Sequence, residues 1–189
     1  MSENETISKK VLAQLIDGTL NDRDVQKLQR MHIKDSERLQ SYNSILQERV
    51  PWNDNILLRL TDHLYIVKNK VGRIVKCNCG HEFGDYRINW KLNANVRVRR
   101  TAEEFKEVYT PTFVIPEPEW MTIREYYCPK CASQLAVEVV PPGYPPLFDA
   151  LPDIDGLYND FLDSPLDDSS DEWFQDLSAE VTLKWSKEE

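Results

Sequence analysis

All four cysteines of this chain fall in two tight pairs, CNCGHEF at 77–83 and CPKC at 128–131. Whatever fold the chain adopts must either bring Cys77, Cys79, Cys128 and Cys131 together or leave two pairs of reactive thiols unexplained. Disulfides persist in oxidising compartments. The opening MSENETISKK has no apolar leader and no later run approaches the roughly 20 apolar residues of a membrane span, so a cytoplasmic setting with no membrane partner is expected. A C-x-x-C redox couple would use only Cys128 and Cys131. A zinc ion accommodates all four. Residues two apart on an extended chain face one side, so Cys77 and Cys79 can converge. Pro129 presets the turn between Cys128 and Cys131, and Gly80 lets the backbone bend back towards sulfur. Four thiolates close the coordination sphere, whereas a catalytic zinc keeps an open position, so a structural clamp is expected. His81 is a fifth donor in C-x-C-G-H; it either enters the ligand set or hydrogen-bonds a sulfur. Lys76, Lys130, Arg73 and Arg124 lie close enough in sequence to offset the charge of the thiolates.

The pattern along the chain predicts an α+β architecture. Short N-terminal helices are followed by a small, mainly antiparallel β domain that holds the cysteines, and then by an extended acidic C-terminal arm. With 189 residues, 41% of them hydrophobic, the chain can build a core without covalent staples. Residues 1–50 form the helical segment: Val11, Leu12, Leu15 and Ile16 before Gly18; Asn21 with Asp24 as an N-cap pair ahead of Val25, Leu28 and Met31; then a third helix starting at Asp35 or Ser36, with Leu39, Tyr42 and Leu46 on one face. Residues 51–140 carry the strands: 56–60, 63–69, 73–77, an alternating NANVRVRR, and 123–128 and 135–140 on either side of the second cysteine pair. In NANVRVRR the expected inward residues are Val96 and Val98, with Arg97 and Arg99 on a basic outer face. Thr101 caps a short helix through Phe105 and Val108.

Residues 141–165 read as a Pro-rich and acidic docking arm, and 166–189 as a loosely ordered acidic tail anchored by Trp173, Phe174 and Trp185. PPGYPP at 141–146 runs extended as a stiff spacer leading away from the β domain. The formal charge of −9 is concentrated beyond it, with ten acidic residues and no lysine or arginine between Asp149 and Asp176. Ile154, Leu157, Tyr158, Phe161 and Leu162 fall at helical spacing within that acid. They either fold back onto their own domain or dock on a partner.

Several function classes lack their signatures. There is no phosphate-binding glycine loop, G-x-S-x-G or H-E-x-x-H, and three histidines are scattered at His32, His63 and His81. A nucleic-acid-binding zinc ribbon is the alternative binding reading, supported by Arg87, Lys91, Arg97, Arg99 and Arg100. Its usual spacer of about 15–20 residues contrasts with the wide gap here, and the acidic arm opposes it. No nucleic-acid partner is expected.

The blocks ILQERVPWNDNILL (45–58), CNCGHEF, NWKLNANVRVR (89–99), EPEWMTIREYYCPKC (117–131) and PDIDGLYNDFL (152–162) occur in an order that resembles the gamma, or small, subunit of acetone carboxylases, from about Ile7 to Leu166. The resemblance implies a cytoplasmic heterohexamer with two copies each of large, medium and small chains, converting acetone, bicarbonate and ATP to acetoacetate with manganese. The hydantoinase-like alpha and beta chains would carry the nucleotide and carboxylation chemistry. The gamma chain would contain zinc, have no catalytic residues and be inactive alone. It also implies the zinc ligands Cys77, Cys79, Cys128 and Cys131. Gly84 stands where some relatives have a further cysteine, Ala132 replaces the glycine frequent after such a turn, and the tail beyond Leu166 is longer than the pattern. Related complexes carboxylate acetophenone or other ketones, and a small subunit without the substrate pocket does not separate them, so the ketone stays open.

Overall fold

The computed structural model describes residues 7–31, 37–110, 114–169 and 175–185. The expected cap at Asp35 or Ser36 and the anchors Trp173 and Phe174 lie outside them. Helices α1 (Lys9–Ile16) and α2 (Asp22–Arg30) begin at side-chain caps: Ser8 accepts from the Val11 N–H, and Asn21 from the Asp24 N–H. Gly18 ends the first helix region in a left-handed conformation. Helix α3 (Arg38–Gln47) buries Asn43, Ile45 and Leu46.

Two antiparallel sheets follow. The first has the order β1 (Asn55–Arg59), β2 (Leu64–Lys68), β3 (Arg73–Cys77) and β4 (Glu82–Asp85). The second comprises β5 (Asn95–Arg99), β6 (Thr122–Tyr127) and β7 (Gln134–Val140) in that order. Strand β4 and a 3₁₀ turn at Trp90–Asn93 were not legible in the hydrophobic pattern. Central strands β2 and β3 are buried on both faces, and β3 takes Arg73 and Lys76 inside along with its apolar residues. On one side, Ile56, Tyr65, Val67 and Ile74 pack with Leu46 of α3. On the other, Leu57, Leu64, Ile66 and Val75 join Phe83, Trp90, Tyr126 and Leu135 in the main core, together with Cys77 and Cys128. The first sheet is therefore the middle layer of three.

Strand β5 departs from the expected polarity at two positions. Arg99 is buried, whereas Val96 is exposed. The reason is ionic: Arg99 Nε donates to Glu125 at 2.9 Å, and its Nη1 reaches Glu107 of the segment after α4 (Ala102–Lys106) at 2.5 Å. Thr101 and Glu104 form the capping box that starts α4, and Phe105 is fully buried beneath it.

The C-terminal segment folds back onto its own domain. Pro142–Pro146 do not lead away: Arg124 donates to the carbonyls of Tyr144 and Pro145, and Asn89 to that of Pro146. A helical turn (Ile154–Gly156) passes into a π-helical turn (Leu157–Phe161). Ile154 is 0% exposed within the main core, and the Tyr158 hydroxyl donates to the Leu57 carbonyl. Arg73 grips Asp155 through two bonds of 3.0 and 2.6 Å, with side chains only 7% and 8% exposed, and also pairs with Asp168. Lys68 pairs with Asp167. Four of the ten acids in this stretch, Asp149, Asp155, Asp167 and Asp168, pair with the chain's own cations; Phe161 alone of the five apolar residues is strongly exposed.

Removing one partner of a buried pair strands the other, at a cost of about 3–5 kcal/mol, whereas replacing both with apolar groups is often neutral. Arg73→Ala should therefore lower unfolding stability by about that amount, and Arg73→Met with Asp155→Leu should recover most of it in denaturant titrations. Burial opposes ionisation of Asp168, but Arg73 and Lys68 hold it below the usual carboxylate range, and Lys68 does the same for Asp167. A depressed folded pKa contributes stability that is complete above the unfolded value, about 3.9, and is lost as pH falls. Between pH 5 and 3 the wild type should lose more stability than Asp167→Asn with Asp168→Asn, as thermal melts at each pH would report.

Candidate metal centre

The four cysteines meet at the junction of the two sheets. Cys77 is the last residue of β3 and Cys128 immediately follows β6, so each sheet delivers one pair at the end of a core strand. The two turns are built alike. The Cys77 N–H donates to the His81 carbonyl at 2.8 Å, and the Cys128 N–H to the Ser133 carbonyl at 2.9 Å. Gly80 sits at φ +90, a conformation that favours glycine, and a Cβ there would crowd Trp52 Cδ1 at 3.3 Å. Ala132 adopts the left-handed φ of 57 even though it carries a Cβ.

The donor atoms of Cys77, Cys79, Cys128 and Cys131 all lie within 4.8 Å of one another. Cys77 and Cys131 sulfurs are 3.8 Å apart, and those of Cys79 and Cys128 3.6 Å. A tetrahedral ion with metal–sulfur bonds of about 2.3 Å requires sulfur–sulfur edges of about 3.8 Å. The donor set thus fits a thiophilic ion of tetrahedral preference. The thiols are free, not disulfide-bonded.

Electrostatics around the sulfurs is uneven. Burial pushes the Cys77 thiol far above its ordinary pKa and raises that of Cys79, although the Cys79 and His81 N–H groups respectively oppose this. Burial also opposes ionisation of Cys131. There the Ser133 hydroxyl and backbone N–H, with neighbouring thiols, outweigh it and bring the pKa down to about 6. A buried thiol that resists ionisation alone is the situation in which a metal cation, by replacing the proton, makes the largest difference.

His81 is not among the clustered donors: its ring packs edge-on against Phe83 at 4.8 Å, while its main chain supports the cysteine turn. Of the four cations expected to offset the thiolates, only Lys130 reaches this turn, donating to the Cys79 carbonyl at 3.2 Å. Lys76 is held by Asp54 and Glu82, Arg73 by Asp155 and Asp168, and Arg124 by Glu138. Sequence reasoning missed Trp52, whose indole N–H donates to the carbonyls of Cys77 and Asn78 and braces the first turn. Its only signal was an indole donor a short distance ahead of a β segment. Because left-handed backbone costs a residue with a Cβ about 1–2 kcal/mol, Ala132→Gly should leave stability equal or slightly raised. By contrast, Gly80→Ala should lower it, as denaturant midpoints would show.

Four of the five cations offered as a nucleic-acid face are paired within the chain, Arg87 with Asp85, Lys91 with Glu138 and Asp149, Arg97 with Glu107, and Arg99 with Glu125, while Arg100 is exposed. No helix among the described residues is long and apolar enough to cross a membrane.

Comparison with known proteins gives a consistent placement. The family profile described as acetone carboxylase gamma subunit matches residues 50–162, the span holding both sheets, all four cysteines and the folded-back helical turns. The acetone carboxylase gamma subunit of Xanthobacter autotrophicus (strain ATCC BAA-1158 / Py2) is 43% identical over 162 residues, covering 85% of this chain and 95% of that protein. The acetophenone carboxylase beta subunit of Aromatoleum aromaticum (strain DSM 19018 / LMG 30748 / EbN1) is 35% identical over 81 residues, 42% of this chain and 63% of that protein. With its paired cysteines converging at the sheet junction and this likeness running through nearly the whole of the curated gamma subunit, the chain belongs to the acetone carboxylase gamma subunit family.

Proposed function

We propose that this chain is the zinc-binding small subunit of an ATP-dependent acetone carboxylase, a cytoplasmic heterohexamer with two copies each of three chains. The complex would convert acetone, bicarbonate and ATP to acetoacetate, with manganese and nucleotide handled by the larger alpha and beta subunits. The observation that carries the structural half of this reading is the closed set of four sulfurs at the junction of two sheets. Cys77, Cys79, Cys128 and Cys131 would bind the zinc, leaving no position for substrate, so the ion would supply a cross-link between the hairpins rather than Lewis-acid chemistry. Family membership supports the carboxylase half. A rigid accessory chain suits a reaction whose activated intermediate must be kept from water while it moves between sites. The similarity to the acetophenone carboxylase beta subunit supports a second reading in which the substrate is another ketone.

Metal analysis and X-ray absorption of the purified protein should give about one zinc per chain with sulfur at about 2.3 Å. Serine at any one of the four cysteines should abolish stable folding, because structural zinc contributes roughly 10–16 kcal/mol against net domain stabilities of about 5–15 kcal/mol. His81→Ala should keep the metal. The isolated chain should neither hydrolyse ATP nor carboxylate a ketone, while its complex with the two larger subunits should carboxylate acetone. Assay of that complex with acetone and acetophenone decides between the two substrates. Turnover by the isolated chain would sink the accessory assignment.

A further inference from the structure

Five apolar residues of the C-terminal helical turns, Ile154, Leu157, Tyr158, Phe161 and Leu162, have the spacing that puts side chains on one face of an α-helix. Four of them follow it inward: Ile154 is buried in the main core, Tyr158 packs against that core, and Leu157 and Leu162 are half-buried. Phe161 is 78% exposed. The cause is the π-helical turn at Leu157–Phe161. Its i→i+5 bonds put more residues into a turn than the 3.6 of an α-helix, so the stripe breaks and Phe161 turns into solvent. Turns of this kind are frequent at functional sites.

Two further features of the same short stretch cost stability. Asp163, the residue after the C-cap Leu162, holds the left-handed φ of 48, and the Ser164 N–H closes the helix end on the Tyr158 carbonyl at 2.9 Å. Glycine is the usual occupant of that position. Asp160 and Asp163 also place two carboxylates at the C-terminal end of the helical run, where the backbone dipole favours cations. Both are exposed, and neither pairs with a cation among the described residues. By contrast, Asp149, Asp155, Asp167 and Asp168 of the same acidic stretch are all held by lysine or arginine. An exposed aromatic ring, a left-handed backbone and two unanswered charges therefore coincide within residues 160–163. No contact among the described residues compensates them, which marks a surface shaped for a partner.

We propose that Phe161 anchors this chain in an apolar pocket of one of the larger carboxylase subunits, with Asp160 and Asp163 meeting lysine or arginine side chains at the rim of that pocket. The charge of the patch selects this occupant. Two carboxylates beside the ring repel the phosphates of nucleic acid and the headgroups of an anionic membrane. They also oppose self-association through the same patch, because a two-fold interface would set like charges against each other. What remains is a protein surface with an apolar centre and a basic rim, and the relatives of this chain are named as subunits of carboxylases, whose companion subunits are such surfaces at hand. An aromatic anchor seated in a pocket carries a large share of binding energy, and rim charges steer the encounter. The inference rests on the proposed role as a small subunit and names the contact through which that role is exercised. Val71 is the internal comparison. It is 90% exposed, yet the acids that share its surface hollow, Asp85, Asp155 and Asp168, are all paired with arginine.

The test compares the full chain alone with its complex purified after co-expression with the two larger subunits. Phe161→Ser should weaken assembly about tenfold or more without altering the melting temperature of the isolated chain, and Val71→Ser should assemble as the wild type does. Asp163→Gly separates the proposal from a purely structural role. It should raise the melting temperature of the isolated chain, because glycine relieves the backbone and the helix end loses a carboxylate, and yet weaken assembly about two- to fivefold. Asp160→Asn with Asp163→Asn should slow association and reduce its dependence on salt. The photo-crosslinking variant Phe161→p-benzoylphenylalanine should join this chain to a larger subunit. Assembly of Phe161→Ser at wild-type affinity, or an equal defect in Val71→Ser, overturns the proposal while leaving the small-subunit role intact. Cross-linking to a second copy of this chain makes that copy the occupant and also overturns it. Failure of the wild-type chain to join the larger subunits at all rejects the proposed function itself.

Discussion

Everything else in this molecule is arranged around the meeting of two hairpin ends at four sulfurs. Each sheet is too small to enclose a core by itself; together they share Leu57, Ile66, Phe83, Trp90, Tyr126 and Leu135 with Cys77 and Cys128 in one apolar cluster. The sulfurs therefore lie at the point where core strands from the two sheets end side by side. A metal ion held there would constrain the relative position of the sheets with no covalent bond between their backbones. The bracing by Trp52 and the glycine at position 80 matter because a tetrahedral site tolerates little error in the direction of its donors.

Around that cysteine cluster, the chain uses buried ion pairs to fix parts that hydrophobic packing leaves undetermined. Lys91 Nζ donates to Glu138 at 2.6 Å and to the Leu147 carbonyl at 2.9 Å, while Tyr126 donates to the other Glu138 oxygen at 2.9 Å. One carboxylate thus joins the 3₁₀ turn, β6, β7 and the segment after the prolines. Arg73 does the same for the C-terminal turns, and Arg99 for α4. Such pairs add little net stability relative to apolar replacements, but each is costly to break from one side. They select one arrangement of the outer segments over others.

What could be read from the sequence followed from local rules. Helix starts at Asn21 and Thr101, the β-rich middle and the grouping of four thiols all depend on residues near one another or on a donor set with few chemical uses. The errors arose where distant partners decide. Arg99 alternates with valines as a surface residue would, but Glu125 and Glu107 draw it inward and Val96 is left outside. The acidic stretch resembled a self-repelling arm because Lys68, Arg73 and Lys91, its counter-charges, lie far upstream. Strand β4 is short, with glycine at position 84 and a register shift opposite Val75 and Lys76, so no period could reveal it. His81 was left open by the motif, and the structure separates its two roles, main chain for the cysteine turn and ring against Phe83.

The distance between partners along the chain has a consequence for biogenesis. During synthesis Cys77 and Cys79 leave the ribosome well before Cys128 and Cys131, and Arg73 waits still longer for Asp155 and Asp168. At elongation rates of about 5–20 residues per second, the first sheet spends several seconds with one face uncovered and one pair of thiols unmatched. The nascent chain in that interval exposes Ile66 and Val75 to solvent and offers an incomplete site to any thiophilic ion or oxidant. The Tyr158 hydroxyl that bonds the Leu57 carbonyl of β1 is among the last groups to arrive. Faithful production of this chain thus favours conditions that keep its thiols reduced, and makes the final third of the message decisive for the fate of the first two.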